Sequence, residues 1–394
     1  MVRLLIFHNC ANCFDCMKKT FIFLLSLFTF TIMVPYTIGY SNDRPLTGAP
    51  EVQNDGPYVQ YNNDEVFVNY VMEDNGTKLI KSQTFGLQNL DSVSLNVMTD
   101  IQGKTFHVEL KKKLKAENSR FRRVKKLFVL SDIEGNFAAF RKLLQAGNVI
   151  DDDFNWKFGN GHLVLVGDFF DRGQQVTEVL WFIYYLEEKA RAQGGYVHFI
   201  LGNHEIMNLS NDLRYVNPKY LENAKLLKQN YLSLYDVNSE LGRWLRTKNV
   251  IEKIGNILCI HGGISAEINI MNLSVDGINT LARRHYDDTA SGYRDARTAV
   301  IFSDLGPFWY RGYYEKSNRN IPRQIDSTLA QFGVNRIITG HTIVSDTISV
   351  WYNGKLFDTD LHHAGGKSEA LLIEDGKYFR INAEGKKVLL IEEK

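Results

Sequence analysis

The chain has 394 residues, enough for one large catalytic domain and a smaller accessory one around a self-sufficient hydrophobic core. Apolar residues make up 44% and charged residues 23%, ordinary for a globular protein. With 46 Lys and Arg against 45 Asp and Glu, the net charge of +1 excludes a global field that steers the chain to nucleic acid or anionic lipid, so any recognition of a polyanion is local.

The first 40 residues read as an export segment. Cys10, Cys13 and Cys16 form a CxxCxxC run, but no partner ligands lie nearby and the run abuts Met17-Lys18-Lys19-Thr20, which resembles a start followed by a charged n-region. Residues 1–16 therefore read as an upstream extension, or as part of what is removed with the signal, in preference to a zinc or iron–sulfur site. The apolar stretch 21–34 has 14 residues, within the range of a signal h-region and shorter than the roughly 20 that span a bilayer. A signal peptide is expected, with a retained membrane anchor over residues 18–40 as the alternative. The mature chain would keep only Cys259, in an apolar run where a small buried residue is expected.

Residues 41 to about 56, rich in Asn, Asp, Gly and Pro, read as a linker. Alternating segments at 65–71, 78–85 and 105–110, with the turn Asp74-Asn75-Gly76, predict a small β domain ending near residue 121. The basic stretch 111–126 is expected to be a solvated connection. From residue 122 to 394, apolar runs at 126–130, 163–166, 197–201, 257–260 and 336–338 read as buried strands. They alternate with amphipathic segments, at 137–146 and 176–193 among others, which predicts an α/β domain. A largely helical insertion at about 217–247 is expected to cap the cleft, with simple helix packing as the alternative. Asn208-Leu209-Ser210 matches the glycosylation pattern but adjoins an active-site loop, so the match carries no weight.

Five motifs follow those runs in order: Asp132-Ile133-Glu134-Gly135-Asn136, Gly167-Asp168-Phe169-Phe170-Asp171-Arg172-Gly173, Gly202-Asn203-His204-Glu205, His261-Gly262-Gly263 and Gly340-His341-Thr342. Each supplies oxygen or imidazole groups suited to a divalent metal, and α/β sheets bind ligands at the carboxyl ends of their strands, where these loops converge. Any one Gly-Asp or Gly-His pair is weak, but five in order describe a two-metal phosphoester-cleaving site. Two metals about 4 Å apart generate a bridging hydroxide and clamp the phosphoryl group. Asp168, with two oxygens to share, is the best bridging ligand.

Together the motifs resemble the calcineurin-like metallophosphoesterase superfamily, and within it the serine/threonine phosphoprotein phosphatase branch, whose pattern is GDxHG, GDxxDRG, GNHE, HGG and a late Gly-His. The resemblance covers roughly residues 127–381, and Gly306-Pro307-Phe308-Trp309-Tyr310-Arg311-Gly312 resembles a segment of bacterial and Shewanella-like phosphatases. It implies a β-sandwich flanked by helices in α/β/β/α layers. It also implies that Asp132 and Asp168 hold one metal and Asp168, Asn203, His261 and His341 the other; two divalent ions are expected, with manganese the first choice and iron, zinc or magnesium the other options. Glu134 departs from the pattern, standing where a histidine is usual; it either ligates directly, favouring harder ions, or acts through water or from outside the ligand shell.

His204 is expected to face the cleft and give its proton to the leaving oxygen, oriented by Asp171. Arg172 and Arg311 are candidate phosphate clamps, since a guanidinium presents paired donors. Glu205 is expected to brace the loop, Asp360 to support His341, and His362 or His363 to end a strand or add a ligand. The leading function is an exported metal-dependent phosphatase of phosphate monoesters, including phosphoproteins. A diadenosine-tetraphosphatase-like pyrophosphatase uses nearly the same motifs, and a non-catalytic binding module with a degenerate metal site is the reading from another class. No nucleic-acid partner is expected, and a membrane only through an uncleaved N-terminal segment.

Overall fold

A computed structural model of the chain describes residues 54–288 and 295–393. The export segment, its cysteines and most of the linker lie outside the described residues. The elements run β1 Asp55–Asn62, β2 Glu65–Asp74, β3 Thr77–Gly86, β4 Ser94–Met98, β5 Thr105–Glu109, β6 Arg120–Phe121, β7 Lys126–Leu130, α1 Phe137–Ala146, β8 His162–Val166, α2 Val176–Ala192 and β9 Tyr196–Ile200. There follow α3 Asn203–Leu209, α4 Pro218–Leu226, α5 Glu240–Leu245, β10 Ile251–Ile254, β11 Ile257–Ile260, α6 Ala266–Ile270, α7 Val275–Arg283, α8 Ala296–Ile301 and α9 Ile321–Phe332. The chain closes with β12 Arg336–Thr339, β13 Ser349–Trp351, β14 Leu356–Asp358, β15 Glu369–Glu374, β16 Lys377–Asn382 and β17 Lys387–Glu392.

Two six-stranded sheets form the centre, ordered β17-β16-β15-β7-β8-β9 and β13-β14-β12-β11-β10-β6. In a strand successive side chains point to opposite faces, so a strand buried on both sides feeds two cores. On β7, Leu127 and Val129 join Val164, Ile254, Ile257, Cys259, Ile338 and Phe357 in a cluster between the sheets. Phe128 and Leu130 instead face outward to Phe140, Leu143 and Val179 of α1 and α2. On β11, Leu258 and Ile260 join the outer core with Ile268, Ile278 and Ile325 of α6, α7 and α9. The result is the expected helix–sheet–sheet–helix layering, and Cys259 is a buried free thiol inside it.

The N-terminal strands form a three-stranded antiparallel sheet, β1-β2-β3, and a hairpin, β4-β5. Their apolar residues lie in the same cluster as α2, which is buried over most of its circumference. Phe182 is the meeting point, with ring centroids 5.1 Å from Phe106 of β5, 5.3 Å from Phe137, 6.0 Å from Phe140 and 5.5 Å from Phe154. The Trp181 indole donates to the Pro57 carbonyl at 2.8 Å. The basic connection is less solvated than its charge suggests: Lys111 pairs with buried Glu187 and lies over the Tyr184 ring, while β6 pairs in parallel with β10. Among the described residues no helix is long and apolar enough to cross a membrane.

The insertion holds α4, a 3-10 turn at Tyr231–Leu234 and α5, each begun by a side-chain cap from Asn217, Asn230 or Ser239. It packs against β1 and α2: Glu240 accepts the hydroxyls of Tyr61 and Tyr184, both at 2.7 Å, and Asn223 donates to buried Asp55 at 2.5 Å. Because one ring links β5, α1 and α2, Phe182→Ala is expected to cost about 3–5 kcal/mol of stability, read as a lowered urea midpoint. A loss under about 1 kcal/mol would mean that these elements do not share a core.

Candidate metal centre

All five motif loops leave the carboxyl ends of central strands: β7, β8 and β9 in one sheet, β11 and β12 in the other. Backbone hydrogen bonds join them. Asp132 N donates to Gly167 O at 2.9 Å, Glu134 N to Asp168 O at 3.0 Å, and Gly340 N to His261 O at 2.9 Å. Asp132, Glu134, Asp168, Asp171, Arg172 and His341 all have positive φ, a conformation that is costly for side-chain-bearing residues and gathers at functional sites. The motif glycines are required by contact: a Cβ on Gly202 would collide with the Asp168 carboxylate, and one on Gly340 with Asp132 and Ser131.

Asp168 is the hub. Its Oδ2 lies 3.0 Å from His261 Nε2 and 3.7 Å from His204 Nε2, and its Oδ1 accepts the His204 amide at 2.9 Å. Glu205 is the expected brace: its Oε2 accepts Gly202 N at 2.6 Å and Asp168 N at 3.0 Å, and its Oε1 accepts Phe169 N at 2.8 Å. His261 donates Nδ1–H to the Val166 carbonyl at 2.7 Å, which turns Nε2 toward Asp168 and the Asn203 amide oxygen, 3.1 Å away. His341 directs Nε2 to the Trp309 carbonyl at 3.0 Å, leaving Nδ1 for the site.

Ligand atoms of Asp168, His261 and His341 lie within 4.8 Å of one another, all buried. A carboxylate, an amide oxygen and two imidazoles, each ring fixed by a carbonyl through its other nitrogen, fit a divalent transition metal. Asp132 lies at the same edge, its carboxylate accepting the His341 amide at 3.2 and 3.3 Å. Burial, and then the neighbouring Asp360, push its pKa well above the carboxylate range, as expected where acids converge on a cation position. Burial opposes charge on His261, but the Asp168 carboxylate outweighs it and pushes the imidazole up to about 9. Burial likewise opposes ionisation of Asp168, and His261 and His204 hold it below its usual value.

His204 Nδ1 lies 2.6 Å from Asp171 Oδ2, forming the expected dyad. Burial disfavours the imidazolium, and Asp168 and Asp171 together raise its pKa nonetheless. Sequence reasoning missed what holds Asp171: Asn208 donates to its Oδ1 at 2.8 Å, and Tyr231 of the insertion donates to Asn208. Asn208 is fully buried, unsuited to carry a glycan, and its place one helical turn after His204 was the available signal.

Other residues differ from their expected contacts. Glu134, read as a ligand or a group near one, makes an ion pair with Arg172. The Arg172 side chain is 53% exposed. Arg311 donates to the His341 carbonyl and, at 3.2 Å, to the Thr342 hydroxyl, so it buttresses the His341 loop. His363 contacts the Ser131 carbonyl and Ser368 Oγ, both at 3.1 Å, and His362 is exposed, so neither joins the cluster. His198 is buried, bonded to Glu252 at 2.6 Å and to His162 at 2.8 Å.

Comparison with known proteins follows the same residues. The profile of the calcineurin-like phosphoesterases matches residues 125–345. Shewanella-like protein phosphatase 1 of Plasmodium berghei is 29% identical over 225 residues, covering 55% of this chain and 61% of that protein. Shewanella-like protein phosphatase 2 of Arabidopsis thaliana is 24% identical over 299 residues, covering 64% and 75%. The crystal structure of a cold-active protein tyrosine phosphatase from a psychrophilic Shewanella species is 34% identical, with a TM-score of 0.77 over 86% of this chain and 99% of that one.

A metal taking His261 Nε2 as a ligand would displace the proton that Asp168 favours there. The affinity of the metal-free chain for manganese is therefore expected to rise with pH up to about 9, the imidazole's raised value, with proton release visible as buffer-dependent heat in calorimetry. Affinity independent of pH between about 7 and 9 would place His261 outside the ligand set.

Proposed function

The chain belongs to the calcineurin-like phosphoesterase family, and on that premise we propose that it is a metal-dependent phosphatase hydrolysing phosphate monoesters on proteins. The observation that carries the reading is the His204–Asp171 dyad, 2.6 Å apart, with the other ring nitrogen directed to the Asp168 cluster. A leaving oxygen needs a proton, and an imidazole whose pKa is raised by two carboxylates keeps one near neutral pH.

In this reading two divalent ions are held, one by Asp132 and Asp168 and the other by Asp168, Asn203, His261 and His341. When bound they supply Lewis acidity toward the phosphoryl oxygens and activate water as the nucleophile. Arg172, exposed and paired with Glu134, engages the phosphate oxygens, its planar donors suiting two oxygens at once. Asn208 and Tyr231 hold Asp171, which holds His204, so the proton donor is fixed before substrate arrives. Manganese is the metal first proposed, since the site is rich in oxygen ligands. The names of the Plasmodium, Arabidopsis and Shewanella relatives, all protein phosphatases, support a phosphoprotein substrate. Export is proposed from residues 18–40 on sequence alone.

The test is turnover of p-nitrophenyl phosphate by the metal-stripped chain with manganese, magnesium or zinc restored. Metal-dependent hydrolysis is expected. His204→Asn should lose about 100-fold or more in kcat while binding metal normally, and Asp168→Asn should lose both activity and metal. Turnover without metal, or unchanged in His204→Asn, would sink the reading. Activity confined to dinucleoside polyphosphates would shift it to the pyrophosphatase alternative.

A further inference from the structure

The loops after β7 and β8 are zipped together by their backbones. Gly173 N donates to the Glu134 carbonyl at 2.9 Å and Gln175 N to the Gly135 carbonyl at 3.1 Å, while Glu134 N and Gly135 N donate back to the Asp168 and Phe169 carbonyls, both at 3.0 Å. A Cβ on Gly173 would collide with the Glu134 carbonyl, so only glycine allows the two strands of this seam to approach so closely. Glu134 and Arg172 both hold positive φ along it, 47° and 54°, and their side chains meet as an ion pair.

Glu134 therefore meets an arginine where a ligand would meet a metal. Asp168, His261 and His341 gather their ligand atoms within 4.8 Å of one another and are all buried, whereas the Glu134 side chain is 20% exposed and engaged on a guanidinium. Arg172 in turn faces the cleft, for its charge is felt at His204 and at Asp360, and the exposed Tyr215 ring lies 5.4 Å from its guanidinium carbon. A carboxylate and a phosphoryl group offer a guanidinium similar pairs of oxygens, so the two compete for one fork of donors. An ion pair this open to water is weak, and a phosphate dianion can displace it; a carboxylate bound to a divalent metal would be held fast.

We propose that Glu134 is an internal stand-in for the substrate phosphate: its carboxylate occupies the Arg172 guanidinium in the empty cleft and gives way when a phosphoryl group arrives, and it ligates no metal. The proposal rests on the reading above only in assigning Arg172 to the phosphate. Its consequence is kinetic as well as structural. Part of the attraction between Arg172 and a bound phosphate is offset by the pair that phosphate must break, so the inorganic product leaves more readily than it would from an unpaired arginine.

The experiment measures calorimetric binding of methylphosphonate, which has no ester to cleave, to the full chain loaded with manganese, together with the manganese retained per chain. Glu134→Gln keeps the shape of the side chain and removes its charge. Its affinity for methylphosphonate should rise about two- to fivefold with the manganese content unchanged. In an Arg172→Ala background the same change should bring no gain, because the competition has lost its object. Loss of manganese from Glu134→Gln would make Glu134 a ligand and overturn the proposal. Equal or weaker binding with manganese retained would mean that the pair merely orients Arg172, and a gain that persists without Arg172 would mean general repulsion of anions; either overturns it, as does methylphosphonate bound by neither form. Turnover of p-nitrophenyl phosphate is read separately: a chain that binds methylphosphonate as expected but hydrolyses no ester loses the phosphatase reading and keeps this one.

Discussion

A carboxylate taken out of water must have its oxygens answered, and Asp168, a residue only 2% exposed, is the group around which the site is arranged. Its partners come from two other loops. The His204 amide and the Glu205 brace follow β9, His261 follows β11, and Asp168 itself follows β8. Because β8 and β9 lie in one sheet and β11 in the other, Asp168 is satisfied only when the two sheets have come together. The apolar cluster between the sheets therefore does more than stabilise the domain: it sets the separation at which histidine and carboxylate meet.

The same rigidity sustains an unfavourable backbone. Six motif residues with side chains hold positive φ, each at a cost of about 1–3 kcal/mol that neighbouring structure must offset. The offset is visible in the hydrogen bonds that join the loops after β7 and β8, and in the contact that seats Gly202 against Asp168. These turns aim Asp132, Asp168, Asp171 and His341 across the strand ends, where regular geometry would send them along the sheet faces.

Two features give this chain its own character. Glu134 stands where the family pattern has a histidine, and its carboxylate is matched by Arg172, so the departure changes the surroundings of Arg172. Tyr215 then adjoins both Arg172 and His204. The insertion enters through Tyr231 and Asn208, a relay of two hydrogen bonds that ends on Asp171. Its helices lie mainly against β1 and α2, so the N-terminal strands support the His204–Asp171 pair at one remove.

The sequence by itself determined the five ligand-bearing loops, the strands before them and the helices α1 and α2, because buried parallel strands are continuous apolar runs and the motifs need particular side chains at fixed offsets. It also marked His204, Asp171 and Glu205, whose partners lie within the same motifs. It did not mark β13 to β17, short segments whose pairing is set by distant partners; β15, for instance, is strand-like because it lies antiparallel to β7. Nor did it disclose that β1–β5 share a core with α2, since an alternating strand reads alike whether its buried face meets its own sheet or a remote helix. The ion pair of Glu134, the buttressing role of Arg311, the relay through Asn208 and the exposure of Tyr215 were decided by tertiary structure alone. Each depends on which side chain from elsewhere arrives within hydrogen-bond or van der Waals reach, and chain order carries no record of that distance.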